Sequence, residues 1–352
     1  MKRLACVLVL AALVATANAG PITPGDLVIC RFGDGSAALG TAATKVFLDE
    51  YTTSGSLVQS IAVSSAGSSA LTAVGNATTE GVISRSQDGT RLVFAGYRKD
   101  AGGTSPSSDT PATTNRVIGW VGDSGVVDTS IGLTDPTGSF RSATTVDGAH
   151  YYISAASNYL RYVATPGPAS TSVQIDARNS RQVNLLNNEL FASNGSTAIT
   201  PKVQSYGILP TTATVPTPIV TLALTDAVHG FVVLDLDPNI AGADTVYGLS
   251  TVLSQLVKWS YNGTSWSQTG FISSSASNLA GVVTGSNVTL YLTSPTTLST
   301  LTDTSGQGGT LNGTLTSLAT AGTYTAFRGI GILPEPASLL LLGLGVALIR
   351  RR

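Results

Sequence analysis

Short runs in which apolar and polar side chains alternate with a period of two recur through the middle of the chain. Val288-Thr289-Leu290-Tyr291-Leu292-Thr293 is the clearest, and Arg91 to Tyr97, Ala149 to Ser154 and Leu256 to Tyr261 read the same way. That period belongs to half-buried strands. Between the runs stand Asp88-Gly89, Asp147-Gly148, Asn187-Asn188, Asn262-Gly263 and Gly285-Ser286. Such pairs tolerate positive φ and close hairpins. No stretch of the body carries a long helical apolar period, so the pattern predicts an all-β fold with little helix.

The hairpins repeat. Strand–turn–strand units open near Glu80, Phe140, Arg181, His229, Asn278 and Ala326, at intervals of 60, 41, 48, 49 and 48 residues. A repeat of about 40–50 residues is the length of a four-stranded propeller blade, and the body resembles a β-propeller repeat protein. The last unit is cut short after one strand. The chain meanwhile begins in mid-unit, with runs at Asp26 to Phe32, Thr44 to Tyr51 and Ser56 to Val63. One C-terminal strand and three N-terminal strands would complete one blade and tie the ring. The expectation is a β-propeller of six blades closed by the terminal strands. The long first interval, or Gly67 to Thr79, leaves room for a seventh.

The two ends break the pattern. Met1-Lys2-Arg3 is followed by an apolar run from Leu4 to Thr16 and then by Ala17-Asn18-Ala19. A positive start, a short apolar stretch and an A-x-A site make a secretory signal peptide, cleaved after Ala19 by signal peptidase. At the other end, Pro334-Glu335-Pro336 precedes an uncharged run, 337–349, and the chain closes on Arg350-Arg351-Arg352. Two prolines hold the tripeptide extended and out of any helix or sheet. The apolar run predicts a C-terminal transmembrane helix, with the arginines orienting it by the positive-inside rule. At about 1.5 Å per residue the run is short for a hydrocarbon core near 30 Å. Domains are therefore expected as 1–19 signal peptide, 20–333 propeller and 334–352 sorting tail.

This tail resembles the PEP-CTERM sorting signal of Gram-negative bacteria, which the membrane enzymes called exosortases recognise. The resemblance covers the last nineteen residues and matches in order: tripeptide, apolar run, arginine cluster. It implies recognition at Pro334, Glu335 and Pro336, with removal or transfer near them. It also implies an exported protein at the cell-envelope surface or outside the cell, transiently anchored in the membrane by the helix, among exopolysaccharides. Such tails are appended to unrelated folds, so nothing about the body follows from it.

Composition narrows the function classes. Only 11% of residues are charged and 42% are hydrophobic, which excludes a disordered chain. Residues 20–333 hold 14 Lys and Arg (19 less five at the ends) and 19 Asp and Glu (20 less Glu335), a balance of −5. That excludes a basic nucleic-acid binder. After export Cys30 is the one remaining cysteine, so no internal disulfide and no cysteine-rich zinc site can form. In Leu27-Val28-Ile29-Cys30 it reads as a small buried hydrophobe.

Motifs for chemistry are sparse. No H-E-x-x-H, C-x-x-C, G-x-S-x-G or G-x-x-x-x-G-K is present, and two histidines, His150 and His229, cannot build a three-histidine metal site. Asp235, Asp237, Asn239 and Asp244 place oxygen ligands at alternating positions, a calcium candidate. Ile240 and Val246 stand where an EF-hand needs Gly and Glu, and a turn held by Asx hydrogen bonds accounts for the same residues. Trp120, Trp259 and Trp266 fit gaps between sheets better than a sugar-stacking face. Five N-x-S/T triplets, at Asn76, Asn194, Asn262, Asn287 and Asn312, are what a Ser/Thr-rich chain produces by chance.

The expected function is a non-enzymatic structural or binding protein without cofactor, exported and sorted by exosortase. One alternative is an extracellular propeller hydrolase with a central-channel site, which needs acids or histidines on the innermost strands. Another is a permanently tail-anchored surface protein.

Overall fold

The structure, a computed structural model, describes residues 19–157, 159–196, 201–221 and 226–334. They fold into 25 strands and two three-residue 3₁₀ turns, Gly67–Ser69 and Pro106–Ser108. β1 (Leu27–Phe32), β2 (Ala43–Tyr51) and β3 (Leu57–Ala62) form an antiparallel meander, followed by the short β4 (Thr72–Val74). A second group holds β5 (Ile83–Arg85), β6 (Leu92–Tyr97), β7 (Arg116–Val121) and β8 (Val127–Leu133). Then come β9 (Thr137–Thr144), β10 (Tyr151–Ser157), β11 (Leu160–Val163) and β12 (Val173–Asp176), and β13 (Ser180–Leu186), β14 (Glu189–Asn194), β15 (Pro201–Ile208) and β16 (Thr217–Thr221). The next sheets are β17 (Val228–Leu234), β18 (Thr245–Ser250), β19 (Gln255–Tyr261) and β20 (Trp266–Ser273), then β21 (Asn278–Thr284), β22 (Asn287–Thr293), β23 (Thr297–Asp303) and β24 (Thr316–Thr320). The last strand, β25 (Ala326–Ile332), lies antiparallel beside β1.

The units pack face to face. Six apolar clusters, each drawn from two neighbouring groups of strands, hold them together. Tyr97, Ile118 and Leu133 of the second group meet Phe140, Tyr151 and Ile153 of the next, for instance. The first strands follow one another by packing: β5 on β9, β9 on β13, β13 on β17, β17 on β21, β21 on β25 and β25 on β5. Period-two strands with one face on each neighbour explain why the apolar side chains are buried on both faces of most sheets.

Two expectations are corrected here. The fold is all-β and its sheets are reminiscent of propeller blades, but no sheet closes on itself, so the six-bladed propeller closed by its terminal strands is not what the hydrogen bonding draws. Four sheets are open and four-stranded. The groups on either side of the chain ends merge into one nine-stranded sheet, in the order β25-β1-β2-β4-β6-β7-β8, with β3 on β2 and β5 on β6. The cause is β4. Its three buried residues pair with Ala43 to Lys45 of β2 and, through Thr72, with Tyr97 of β6. The stretch from Gly67 to Thr79 therefore supplies a bridge between two sheets, not a further unit.

The second correction concerns the membrane. Among the described residues no helix is long and apolar enough to cross one. The run 337–349 that carried the expected transmembrane helix lies outside the described residues. The membrane as a partner through that helix, transient anchoring at the envelope and permanent tail anchoring are accordingly not carried further.

Candidate functional site

Adjacent first strands diverge too far for ladder pairing, so their backbone groups need other partners. Polar side chains provide them. Ser84 Oγ donates to the Val183 carbonyl at 2.9 Å, Gln182 Oε1 accepts from the Phe231 amide at 2.9 Å, and Asn184 Nδ2 donates to the Phe231 carbonyl at 2.8 Å. A second series runs from three of the second strands, β10, β14 and β22, to the next first strand. Ser154 Oγ donates to the Arg181 carbonyl at 2.6 Å, Ser193 Oγ to the His229 carbonyl at 2.6 Å, and the Thr293 hydroxyl to the Arg328 carbonyl. These hydroxyls and amides fix the spacing of the first strands and leave space between them.

That space opens at the ends of the first strands as a cavity of about 230 Å³. Ser84, Gln87, Gln182 and Asn184 give it polar walls, Leu234 and Ile332 apolar ones, and Arg85 stands at its mouth. The rim is held by a hairpin. Asn187 and Asn188 take φ of 50° and 64°, the positive values of a tight turn. The Asn188 amide donates to Gln87 Oε1 at 2.7 Å, and Gln87 Nε2 donates to Asn188 Oδ1 at 2.8 Å.

The starts of the first strands carry charge instead. Arg181 of β13 and His229 of β17 are the second residues of their strands, Arg328 is the third of β25, and Arg141 is the fifth of β9. Burial lowers the Arg141 guanidinium to about 9, with the neighbouring Arg181 adding to the effect. Burial, with Arg181 and Arg141 nearby, pushes the His229 imidazole down to about 3, so it is neutral under ordinary conditions. Glu80 is the carboxylate near Arg141. Burial pushes it up, against hydrogen bonds from the Tyr97 hydroxyl at 2.6 Å and the Val74 amide at 3.1 Å.

Of the residues singled out in the sequence, Ala19 is exposed at the start of the described chain, and Ala17 lies outside the described residues. Pro334 is exposed directly after the buried Leu333. Glu335, Pro336, Arg350, Arg351 and Arg352 lie outside the described residues. The calcium candidates are not gathered round a common point. Asp244 is buried and accepts from the amides of Leu236 at 3.0 Å and Asp237 at 2.6 Å and from the Thr245 hydroxyl at 2.8 Å. Asp237 accepts from the Asn239 amide at 3.0 Å, and Asp235 is exposed. Among the described residues no group of three or more His, Cys, Asp or Glu is placed to hold a metal ion.

Cys30 is fully buried in the apolar cluster under β1, and burial pushes its thiol up to about 12. His150 donates its Nδ1–H to the Ala164 carbonyl at 2.7 Å. Trp259 is in the core, Trp120 lies under the Arg91 guanidinium and Trp266 packs on Tyr261. The sequence reading missed the cavity amides and the arginines of the first strands. Their signal was present: an Arg, His or Asn within the first few residues of each repeated unit from Phe140 onward.

The last twenty residues, 333–352, match the PEP-CTERM protein-sorting motif. No curated protein is similar in sequence to this chain. Among solved structures, a chain of the nidogen/laminin complex is similar in fold, with 11% identity, a TM-score of 0.50 and coverage of 88% of this chain and 98% of that one. The periplasmic gluconolactonase PpgL of Pseudomonas aeruginosa aligns over 85% of this chain and 83% of its own at 12% identity, with a TM-score of 0.46. The chain is thus a β-rich protein, propeller-like in its sheets, that carries a PEP-CTERM sorting motif at its C-terminal end.

Proposed function

We propose that this chain is exported, sorted by exosortase at Pro334-Glu335-Pro336, and acts outside the cytoplasm as a non-enzymatic binding protein whose ligand enters the cavity between the first strands. The supporting observation is that cavity: about 230 Å³, walled by amides and hydroxyls, with Arg85 at its mouth. The volume suits one sugar ring, and amides with an apolar wall are the usual recognition set for a polar small ligand. A segment of exopolysaccharide is the ligand class that the sorting tail suggests.

A second reading, an extracellular hydrolase with a central-channel site, is favoured by the same location, because enzymes also place their chemistry in concave sites where several polar side chains converge. One experiment separates the two. Neutral and uronic oligosaccharides, with sugar lactones beside them, are incubated with the protein and followed by ligand-observed NMR. The binding reading expects saturation transfer to oligosaccharides, unchanged spectra over a day and at least a tenfold weaker signal for Asn184→Leu. New product resonances would establish the hydrolase instead, and no transfer from any of these ligands would remove the cavity as the site.

The sorting step has its own test. Mass spectrometry of the native protein's C-terminal peptide is expected to find no residues beyond the region of Pro336. A peptide running through Arg352 on the exported form would sink exosortase processing.

A further inference from the structure

A second cavity, of about 220 Å³, lies between the turn from β9 to β10, the strands β10 and β11, and the connection from β15 to β16. It shares no lining residue with the cavity proposed above and does not depend on it. Its wall follows from strand geometry. His150 stands two residues before Tyr152, so period two puts both side chains on one face. Tyr162 of β11 is the cross-strand partner of Tyr152. The ring centroids of His150 and Tyr162 lie 5.7 Å apart and those of Tyr152 and Tyr162 5.4 Å apart, with planes tilted by 43° and 41°. Neither pair stacks flat, so ring surface remains to line the cavity. Leu209 completes the wall with φ of 38°. A bulky side chain takes that left-handed conformation only where its surroundings hold it. Here the Leu209 amide donates to the Asn188 carbonyl at 3.0 Å.

Two polar groups of the wall are left with binding capacity. Tyr152 is 2% exposed, yet its hydroxyl makes no hydrogen bond among the described residues. Buried hydroxyls are as a rule bonded. Burial, with Tyr162 beside it, pushes this phenol up, so it stays protonated and can both donate and accept. Asp147 is exposed, accepts from the Ala149 amide at Oδ1 at 2.9 Å, and has no ion pair among the described residues. None of the described residues lining the cavity is Lys or Arg. The Arg91 guanidinium, beside Gly148, is held over Trp120.

Ring faces with one carboxylate and no fixed cation beside it attract a positive ligand. The wall is poor in acceptors, which suits a quaternary ammonium, with no N–H to satisfy, over a primary one, with three. Size agrees, since an apolar cavity of about 150 Å³ takes benzene, and choline is larger than benzene by one heavy atom. We infer that this cavity binds a small hydroxylated quaternary ammonium, with its trimethylammonium group against the Tyr162 and His150 rings beside Asp147 and its hydroxyl bonded to Tyr152.

The test is calorimetric titration of the purified protein with choline. Neohexyl alcohol, the uncharged carbon isostere of choline, should bind at least tenfold more weakly. Asp147→Asn should weaken choline at least threefold, and Asp123→Asn, which removes an exposed carboxylate elsewhere, should leave it unchanged. Tyr152→Phe should weaken choline but not tetramethylammonium, which has no hydroxyl. Choline bound no better than its isostere would reveal a merely apolar pocket and overturn the assignment. So would an affinity that survives in Asp147→Asn, or no heat at millimolar choline. Should Tyr152→Phe not fold, the comparison of choline with its isostere on the wild-type protein still decides. Phosphocholine tells the source: binding beside choline marks a phosphate-linked head group, choline alone a free solute, and either keeps the site.

Discussion

Replacing Lys258 with methionine is expected to cost about 3–5 kcal/mol of folding free energy, the usual penalty for removing one partner of a buried ion pair. Lys258 of β19 is fully buried, and its Nζ donates to Asp303 Oδ2 at 2.9 Å, to Ser305 Oγ at 2.8 Å and to the carbonyls of Gly306 and Gly309. Asp303, 1% exposed, also accepts from the Tyr247 hydroxyl at 2.6 Å and from the Ser305 amide at 3.0 Å. One ammonium thus organises the loop after β23 and seals the outer edge between the fourth and fifth sheets. Methionine fills the volume but leaves the Asp303 carboxylate without its counter-charge and the two carbonyls without this donor.

The double replacement Lys258→Met/Asp303→Leu should recover part of the loss, because it removes the stranded charge. Urea titration measures both, and limited proteolysis should find new cleavage between Thr304 and Asn312 in the single variant. A shift within 1 kcal/mol of wild type would mean that the pair contributes little. Burial works to raise the Asp303 carboxyl, but the hydrogen bonds from Ser305, Tyr247 and Lys258 outweigh it, and the group sits below its ordinary value. A depressed carboxylate contributes stability above its unfolded value, near 4, and the contribution fades as pH falls through the folded one. Wild type should therefore lose more stability than the double variant between pH 5 and the acid limit.

Much of the strand pattern was legible because it is local. The alternating run from Val288 to Thr293 is β22 without its first residue, Arg91 to Tyr97 contains β6, and Leu256 to Tyr261 is the bulk of β19. The turn pairs behave as their chemistry requires: Gly89, Gly148, Gly263 and Gly285 take φ of 76°, 92°, 88° and 63°. The unit openings near Phe140, Arg181, His229 and Asn278 all fall in first strands. What could not be read is long-range. β4 joins two sheets through pairing that spans Ala43 to Tyr97, and nothing in Thr72-Ala73-Val74 says which neighbours it will take. Lys258 reaches 45 residues ahead to Asp303. The candidate sites share this property. Gln182 and Asn184 look like surface amides until β17 is placed beside β13, and Arg141 and Arg181 are unrelated residues until first strands from successive units stand side by side.

The largest effect of all is expected at the end of the body. A chain ending at Leu333 should fold with the unfolding midpoint of the full protein, whereas one ending at Thr325 should not fold. All seven residues of β25, Ala326 to Ile332, are buried. Phe327, Ile330 and Ile332 pack with Leu27, Ile29 and Tyr51 of the N-terminal group and with Tyr291 and Leu298 of the fifth sheet. At about 1.5–3 kcal/mol for each large apolar side chain, losing them approaches the whole stability of an ordinary domain, about 5–15 kcal/mol.

Shape matters there as much as area. Gly329 donates to the Gly81 carbonyl at 2.9 Å, and a Cβ in its place would come within 2.2 Å of the Ile83 nitrogen. No other strand can stand in, because only a bare backbone fits that close to β5. Gly329→Ala in the full chain should accordingly reproduce a milder form of the truncation. Leu333, 3% exposed, closes the core, and its carbonyl accepts from the Gly25 amide at 2.8 Å, while Pro334 is exposed. The last residue the body needs is thus the one before the sorting tripeptide, so removal of everything after it should leave stability untouched. Circular dichroism melts of the two truncated chains decide the matter: a cooperative transition in the chain ending at Thr325, or a large drop in the one ending at Leu333, would refute this account of how the body ends.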